Sequence, residues 1–145
     1  MKTSRIFALL IVLLLLVGCR KTVPRPEGMP DLVPCTVTVT FGGEAIENVG
    51  VLLRSTEPGN RWGAGGRTDV KGKTVLKTAG AFEGVVPGEY TISFSRRVTS
   101  SDSPMGGEVS LIPEKYAPKQ SMEIITVTKG QAEYSFALDG LASNQ

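Results

Sequence analysis

A strict alternation of apolar and threonine side chains in residues 35–41, which read CTVTVTF, is the strongest constraint on the fold of this chain. Its period of two places the three threonines on one face of an extended strand and the apolar side chains on the other. β-Branched residues also suit a pleated, half-buried surface better than a helix. The pattern predicts a first β-strand, whose buried face carries Cys35, Val37, Val39 and Phe41.

The same period of two returns in five later segments that turn residues separate. The sequence predicts strands near residues 49–54, 73–78, 89–97, 122–128 and 133–138. In a predicted turn over residues 68–72, Asp69 accepts backbone N–H groups and Gly72 takes a positive φ. No segment after residue 34 has a sustained helical period. We therefore predict an all-β fold, a single β-sandwich of about seven strands.

The N-terminus has the pattern of an export signal. Lys2 and Arg5 precede an apolar run over residues 6–17, which is shorter than the roughly 20 residues that span a bilayer. Residues 16–19 read LVGC and resemble the lipobox of bacterial lipoproteins. The resemblance implies cleavage before Cys19 and lipidation of its thiol and new amino group, with acyl chains such as palmitate. The alternative is an ordinary secretory signal followed by a chance cysteine.

The rest of the chain divides into a tether and one domain. Removal of the signal peptide, residues 1–18, leaves 127 residues, enough for one domain of ordinary size. Residues 19–34 contain four prolines and predict a flexible, extended tether. Residues 35–140 form the predicted sandwich, and residues 141–145 form a tail. Without the two basic residues of the signal, 14 basic residues balance 14 acidic ones, so the chain has no electrostatic reason to bind nucleic acid.

Cysteine and histidine usage limits the chemistry that this chain can perform. If lipidation consumes Cys19, Cys35 has no intramolecular disulfide partner, and its place on an apolar face favours burial over pairing between chains. The sequence contains no histidine, which excludes a Ser/His/Asp triad, a Cys/His dyad and a histidine-ligated zinc site. Asp69 and Asp102 are isolated, and calcium needs more oxygen ligands than they supply. We expect no catalytic residue, no cofactor and no metal.

An ordered series of motifs carries a second resemblance. After the first strand come an Ile-x-x-Val-x-Val strand from residue 46, a Thr-Asp-x-x-Gly turn at residues 68–72, a Pro-Gly-x-Tyr strand at residues 87–90 and an Ile-Pro-x-Lys-Tyr segment at residues 112–116. In this order the motifs resemble the carboxypeptidase regulatory-like, or transthyretin-like, domains that many small bacterial lipoproteins carry. The resemblance implies a seven-stranded, Greek-key, prealbumin-like sandwich used for display, support and binding. It implies no particular reaction.

The loop over residues 55–66 is the first candidate binding surface. It contains the single tryptophan of the chain, Trp62, next to Arg61. An exposed indole stacks on a sugar ring or on a side chain of a partner, whereas an indole that folds back caps one end of the sandwich. Both alternatives stay open at this point.

The stretch over residues 98–121 is the second candidate surface. It is long for a loop in a compact domain, and such loops are usually functional or disordered. We expect either an interaction surface or an ordered crossover. Part of the stretch forms an edge strand or docks on the sandwich through Leu111 and Tyr116. The candidate surface residues are therefore Trp62, Arg61 and Tyr116.

Together these features predict a non-catalytic lipoprotein of the bacterial cell envelope. Its expected partners are the lipid bilayer, through Cys19, and an envelope protein or a glycan. Arg20 follows the cysteine where the inner-membrane retention signal of similar lipoproteins has Asp, so the outer membrane is favoured over the inner one, with the domain facing the periplasm or the cell surface. A glycan-binding module is the main alternative to protein recognition or structural support. A hydrolase without histidine is the weakest alternative.

Overall fold

The structure is a computed structural model that describes residues 23–99 and 108–139. These residues form an all-β fold, as predicted, in which the one helical piece is a single 3-10 turn at Glu114–Tyr116. The strands of the described residues are β1 (Thr36–Phe41), β2 (Glu44–Ala45), β3 (Gly50–Ser55), β4 (Ala64–Arg67), β5 (Lys73–Val75), β6 (Lys77–Thr78), β7 (Phe82–Glu83), β8 (Gly88–Ser95), β9 (Arg97–Thr99), β10 (Glu108–Ser110), β11 (Ile124–Val127) and β12 (Glu133–Leu138).

The strands build two sheets that pack face to face as a sandwich. The smaller sheet has the order β12-β1-β2, and β5 also pairs with β1. The larger sheet has the order β11-β8-β3-β4-β6-β7. β1 and β12 run parallel, whereas the larger sheet is antiparallel throughout. β9 and β10 form a separate antiparallel ribbon, so the stretch over residues 98–121 contributes an edge strand, as one alternative predicted.

Alternating apolar side chains of β1 and β8 fill the space between the sheets. The Phe94 ring of β8 lies 5.4 Å, centroid to centroid, from the Phe136 ring of β12, and this contact joins the two sheets. The hydroxyl of the fully buried Tyr90 of β8 donates a hydrogen bond to the Val86 carbonyl at 2.7 Å. The core side chains of the two strands and of Cys35, which directly precedes β1, are each at most 1% exposed: Cys35, Val37, Val39, Tyr90, Ile92 and Phe94.

The described residues contain more strands than the predicted seven, because single alternating segments change sheets. The segment predicted as one strand over residues 73–78 is two strands, β5 in the smaller sheet and β6 in the larger one. Leu76 lies between them, fully buried, and its N–H donates to the Cys35 carbonyl at 2.9 Å. Similarly, β8 and β9 together replace the strand predicted over residues 89–97. Alternation in the sequence does not reveal where a strand exchanges its partner.

Strand β4 lies where the sequence predicted only a flexible loop. It reads AGGR and pairs with β3 on one side and with β6 on the other. Glycines have low intrinsic preference for strands, so no local signal marked it. Close packing requires a glycine here, because a Cβ atom at Gly66 would lie 2.3 Å from Oγ1 of Thr74.

The packed structure begins before the predicted start of the sandwich. Val33 exchanges two backbone hydrogen bonds of 2.9 Å with Val85, and the side chains of Val33 and Met29 are buried. Arg25 lies 3.8 Å from the Asp31 carboxylate, across a turn. Part of the predicted extended tether therefore folds onto the sandwich, because it contains apolar side chains that the core accepts.

The turn that precedes β5 has the predicted geometry. One carboxylate oxygen of Asp69 accepts the backbone N–H groups of Lys71 at 2.8 Å and Lys73 at 3.0 Å. These two hydrogen bonds, together with the charges of the same lysines, lower the pKa of Asp69. Gly72 has a φ of 70°, and a Cβ atom there would lie 2.5 Å from the Val39 carbonyl oxygen. Only glycine combines a favourable positive φ with the absence of a Cβ atom.

We expect Val39→Asp to unfold the domain. Val39 is fully buried in the centre of β1, and an ionised carboxylate has no partner there. The expected result is loss of the cooperative thermal transition measured by circular dichroism. Val75→Asp is the matched control, because Val75 is 48% exposed, and it should melt close to the wild type. A wild-type transition in V39D would contradict the assignment of β1.

We expect Asp69→Ala to destabilise the protein near neutral pH and to lose this effect in acid. The folded pKa of Asp69 lies below the ordinary value of 3.8, so the carboxylate stabilises the fold above that pH. This contribution disappears as the pH falls through the folded pKa. Thermal melts of the wild type and of D69A, from neutral pH to about pH 2, measure the difference between their melting temperatures. This difference should disappear at the acid end of the range. A difference in melting temperature that stays constant over the whole pH range would contradict the prediction.

Candidate functional site

The two ends of the sandwich carry different features. At one end Val33 enters β1 beside Val85, and the Tyr90 hydroxyl bonds to the adjacent carbonyl of Val86. This end is named the tether pole. At the other end β1 finishes at Phe41, which lies close to Arg96, the residue after β8. This end is named the far pole.

An apolar cleft of about 200 Å³ opens at the far pole. Its apolar residues come from the end of β1, from the chain after β2 and from the segment that follows β10. Two charged side chains, of Glu44 and Arg96, lie among them. The residues that line this far-pole cleft are Phe41, Glu44, Ala45, Ile46, Arg96, Leu111 and Ile112.

Two tight connections hold the walls of the far-pole cleft in place. Gly42 and Gly43 both have a positive φ, so the chain reverses and β2 pairs back on β1, with Phe41 opposite Glu44. On the other side, the Leu111 N–H donates to the Arg96 carbonyl at 2.9 Å, which closes the base of the β9–β10 ribbon. The cleft is therefore a gap between two hydrogen-bonded units.

The packing at this cleft is graded from buried to open. Ile112 is 4% exposed and belongs to the core, whereas Phe41, Ile46 and Leu111 are half-buried at its edge. Phe41 is thus less buried than the alternation of β1 predicted. The predicted docking of the segment takes place through Ile112 and Tyr116, and Leu111 lines the cleft instead. The far pole consequently presents apolar surface that continues the core.

Arg96 gives the far-pole cleft its polarity. Its side chain is half-buried, and it forms no ion pair with any acidic residue in the described part of the chain. Glu44, on the same cleft, is exposed to water. A half-buried guanidinium without a carboxylate partner is a ready binding group for an anion, because its five donors match carboxylate geometry.

Trp62 and Arg61 lie at the tether pole, in the loop between β3 and β4. The Arg61 guanidinium lies 4.8 Å from the centroid of the indole, a cation–π contact. Trp62 is half-buried, and its backbone N–H donates to the Asn60 side-chain oxygen at 3.0 Å. The indole is therefore neither a fully open platform nor a fully buried cap.

Tyr116 is part of the core and not of an exposed binding surface. It is 6% exposed, and its ring packs edge-on against Phe94 at 6.2 Å. Its hydroxyl accepts the Asp139 backbone N–H at 3.2 Å. The structure therefore corrects the expectation for Tyr116. It also does not bring Tyr116 together with Arg61 and Trp62, since Phe94 lies toward the far pole on β8.

Local sequence patterns do not predict the far-pole cleft. Phe41 was recognised only as the last apolar residue of a strand, and Leu111 only as a docking residue. The local pattern marks Ile46 only as the start of an Ile-x-x-Val-x-Val motif and assigns Arg96 no role. The cleft joins three segments that are far apart in the sequence, so only the tertiary structure assembles it. A basic residue directly after a strongly alternating strand, as at Arg96, was the one local signal.

A second, more polar groove of about 480 Å³ lies where the chain passes from β5 in the smaller sheet to β6 in the larger sheet. Its cationic side chains, Arg67, Lys73 and Lys77, are all exposed. Lys77 lies 4.0 Å from the Glu83 carboxylate, and both are well solvated. Exposed charges of this kind gain little from a ligand. The far-pole cleft is the stronger candidate site.

The described residues contain neither a metal-binding cluster nor a membrane-spanning helix. Among residues 23–99 and 108–139, no group of three or more His, Cys, Asp or Glu side chains could hold a metal ion. In the same part of the chain, no helix has the length and the apolar character needed to cross a bilayer. Cys19, the predicted lipidation site, lies outside the described residues.

Cys35 is a buried free thiol, as the alternation of β1 predicted. Desolvation by burial raises the pKa of its thiol to about 11. Because the thiolate is the reactive form, a buried thiol with a high pKa is inert toward oxidants and electrophiles. Cys35 therefore serves as a small apolar core residue.

We expect Cys35 to react with Ellman's reagent only after unfolding. In a Cys19→Ala variant Cys35 is the only thiol of the chain, so the released thionitrobenzoate reports on it alone. The native protein should release almost none near neutral pH, and the protein in concentrated urea should release one equivalent. Rapid, stoichiometric release from the native variant would contradict the burial of Cys35.

Comparisons with known proteins add no family. No protein-family model matches the chain, and no curated protein matches it either. A solved structure that is similar to it is a 9R-lipoxygenase from Cyanothece PCC8801, at 17% identity and a TM-score of 0.35. The match covers 83% of this chain and 18% of that chain, so this chain spans less than a fifth of the lipoxygenase's length. A similarity at this level carries no argument about fold or function.

Proposed function

We propose that this protein is a lipid-anchored lipoprotein of the bacterial cell envelope that recognises a partner protein at its far-pole cleft. The LVGC motif at residues 16–19, after a short apolar run, supports the anchor at Cys19. Arg20 supports the outer membrane as the site of attachment. In this proposal the sandwich is a recognition domain and not an enzyme.

The positions of the tether and the cleft are the observation that carries the proposal. The chain from the N-terminus meets the sandwich at the tether pole, where Val33 pairs with Val85. β1 then runs for six residues to the far pole, about 20 Å at the usual rise of a strand. A domain held by its N-terminus thus turns the tether pole toward the bilayer and the far-pole cleft away from it.

The small number of residues between Cys19 and the sandwich strengthens this orientation. The turn that Arg25 and Asp31 close leaves five residues between it and Cys19. A fully extended chain of that length spans roughly 20 Å. A short connection to the bilayer limits the range of orientations that the domain can adopt relative to the membrane. A partner in the surrounding compartment therefore meets the far pole first.

The lining of the cleft favours a protein as the partner. Its walls are mostly apolar, and apolar pockets receive the anchoring side chains of protein interfaces. Trp62, the residue on which a glycan-binding function would depend, has Arg61 over its ring at the opposite pole. Glycan binding stays an untested prediction that no feature of the far-pole cleft favours.

We expect a photo-crosslinking amino acid at Leu111 to capture a partner protein in cells of the native host. Leu111 is half-buried in the cleft wall, so a benzoyl-phenylalanine there reaches a bound side chain. Leu52 is the matched control, because it lies 40% exposed on the outer face of β3, away from the cleft. The readout is a shifted band that depends on light and is identified by mass spectrometry.

Two further results decide the proposal. Cys19→Ala should abolish both the membrane fractionation of the protein and the Leu111 crosslink, because the domain is no longer held in place. Equal crosslinking from Leu52 and Leu111, or membrane fractionation that is unchanged in C19A, would contradict the proposal.

A further inference from the structure

We propose that the far-pole cleft binds the C-terminal residue of a partner protein, with an apolar side chain in the cleft and the terminal carboxylate on Arg96. This inference rests on the proposed function, since it names the chemistry of the partner at the same site. It follows from the size of the cleft, from the Arg96 charge in its lining and from the attachment of a carboxylate and a side chain to the same atom at a chain terminus.

The size of the cleft limits its occupant to one side chain. Its volume of about 200 Å³ is below the roughly 300–1,000 Å³ of typical small-molecule sites. Phe41, Ile46 and Leu111 supply apolar walls that are half-buried, so the side chain that enters loses water on several sides. A leucine, isoleucine, methionine or phenylalanine meets these conditions.

The positive charge of Arg96 favours a ligand that carries an anionic group next to its apolar side chain. Arg96 is half-buried and has no acidic partner among the described residues, although Glu44 lines the same cleft. An apolar ligand without charge would desolvate the guanidinium further and leave it unpaired, which is unfavourable. A carboxylate on the ligand restores a charge-assisted, bidentate hydrogen bond. The carboxylate therefore offsets the loss of water from Arg96.

A chain terminus provides both groups on a single residue. At a C-terminus the carboxylate and the apolar side chain are attached to the same Cα atom, so both reach a site that is only one side chain wide. Capture of terminal carboxylates is also a recurring mode of peptide recognition. An internal residue would instead have to carry its flanking peptide groups over the apolar walls, where they lose hydrogen bonds to water.

The test is binding of short peptides to the full-length lipidated protein in detergent micelles. Fluorescein-labelled Gly-Ser-Gly-Leu with a free C-terminus is compared by fluorescence anisotropy with the same peptide as its C-terminal amide. We expect the free acid to bind at least about tenfold more tightly, because only the acid forms the charge-assisted hydrogen bonds. Gly-Ser-Gly-Ala as the free acid should also bind more weakly, since its methyl group fills little of the cleft.

Variants locate the binding on the protein. Arg96→Gln should remove the preference for the acid, whereas Arg54→Gln, an exposed arginine on β3 outside the cleft, should retain it. Leu111→Glu is the second variant, and it should weaken binding of the free-acid peptide. The introduced carboxylate competes for Arg96 and repels the carboxylate of the peptide. Thermal melts show that each variant is folded.

Other outcomes overturn the proposal. Equal affinity for the acid and the amide would show that the cleft does not bind the terminal carboxylate. An unchanged preference for the acid in R96Q would show that Arg96 does not bind it. Decanoate that binds about tenfold more tightly than the leucine peptide assigns the cleft to a fatty acid instead. These failures differ from failure of the proposed function, because a specific Leu111 crosslink with no peptide preference keeps recognition at the far pole and rejects only the terminal carboxylate.

Discussion

Burial of the apolar face of β1 against that of β8 is the interaction on which the rest of the structure depends. Both strands have hydrogen-bonded neighbours on each side, and their inward side chains are almost completely buried. Full burial of a side chain such as Val39 or Ile92 contributes about 1.5–3 kcal/mol. The shorter strands gain their positions by pairing with these two. β5 and β12 attach to β1, and β3 and β11 attach to β8.

The candidate site is a consequence of how this core ends. At the tether pole the core is closed, because the Tyr90 hydroxyl bonds to the Val86 carbonyl and Val33 covers Val85. At the far pole Phe41, the last residue of β1, and Ile46, which follows β2, pack against the core but are only partly buried. A cleft with apolar walls results from this asymmetry. Arg96 then adds the charge that distinguishes the cleft from ordinary exposed core.

The same asymmetry connects the fold to the proposed role. The described chain enters the sandwich at the closed pole, beside Val85, and the open pole lies at the opposite end. A recognition surface on a lipid-anchored domain is accessible only if it faces away from the bilayer. The course of the chain from Val33 through β1 to Phe41 supports this arrangement. Cys35 is buried, and burial raises the pKa of its thiol, so it serves as a core residue and not as a reactive group.

Local sequence patterns were enough to predict the all-β class, the burial of Val37 and Val39 in β1, the strand over residues 133–138 and the turn at Asp69 and Gly72. Each of these depends on periodicity or on backbone preferences that act within a few residues. Only the tertiary structure decided that β5 and β6 belong to different sheets and that the glycine-rich β4 is a strand. It alone buried Tyr116 and brought Phe41, Arg96 and Leu111 together. These features depend on contacts between segments far apart in the chain, which local patterns do not encode.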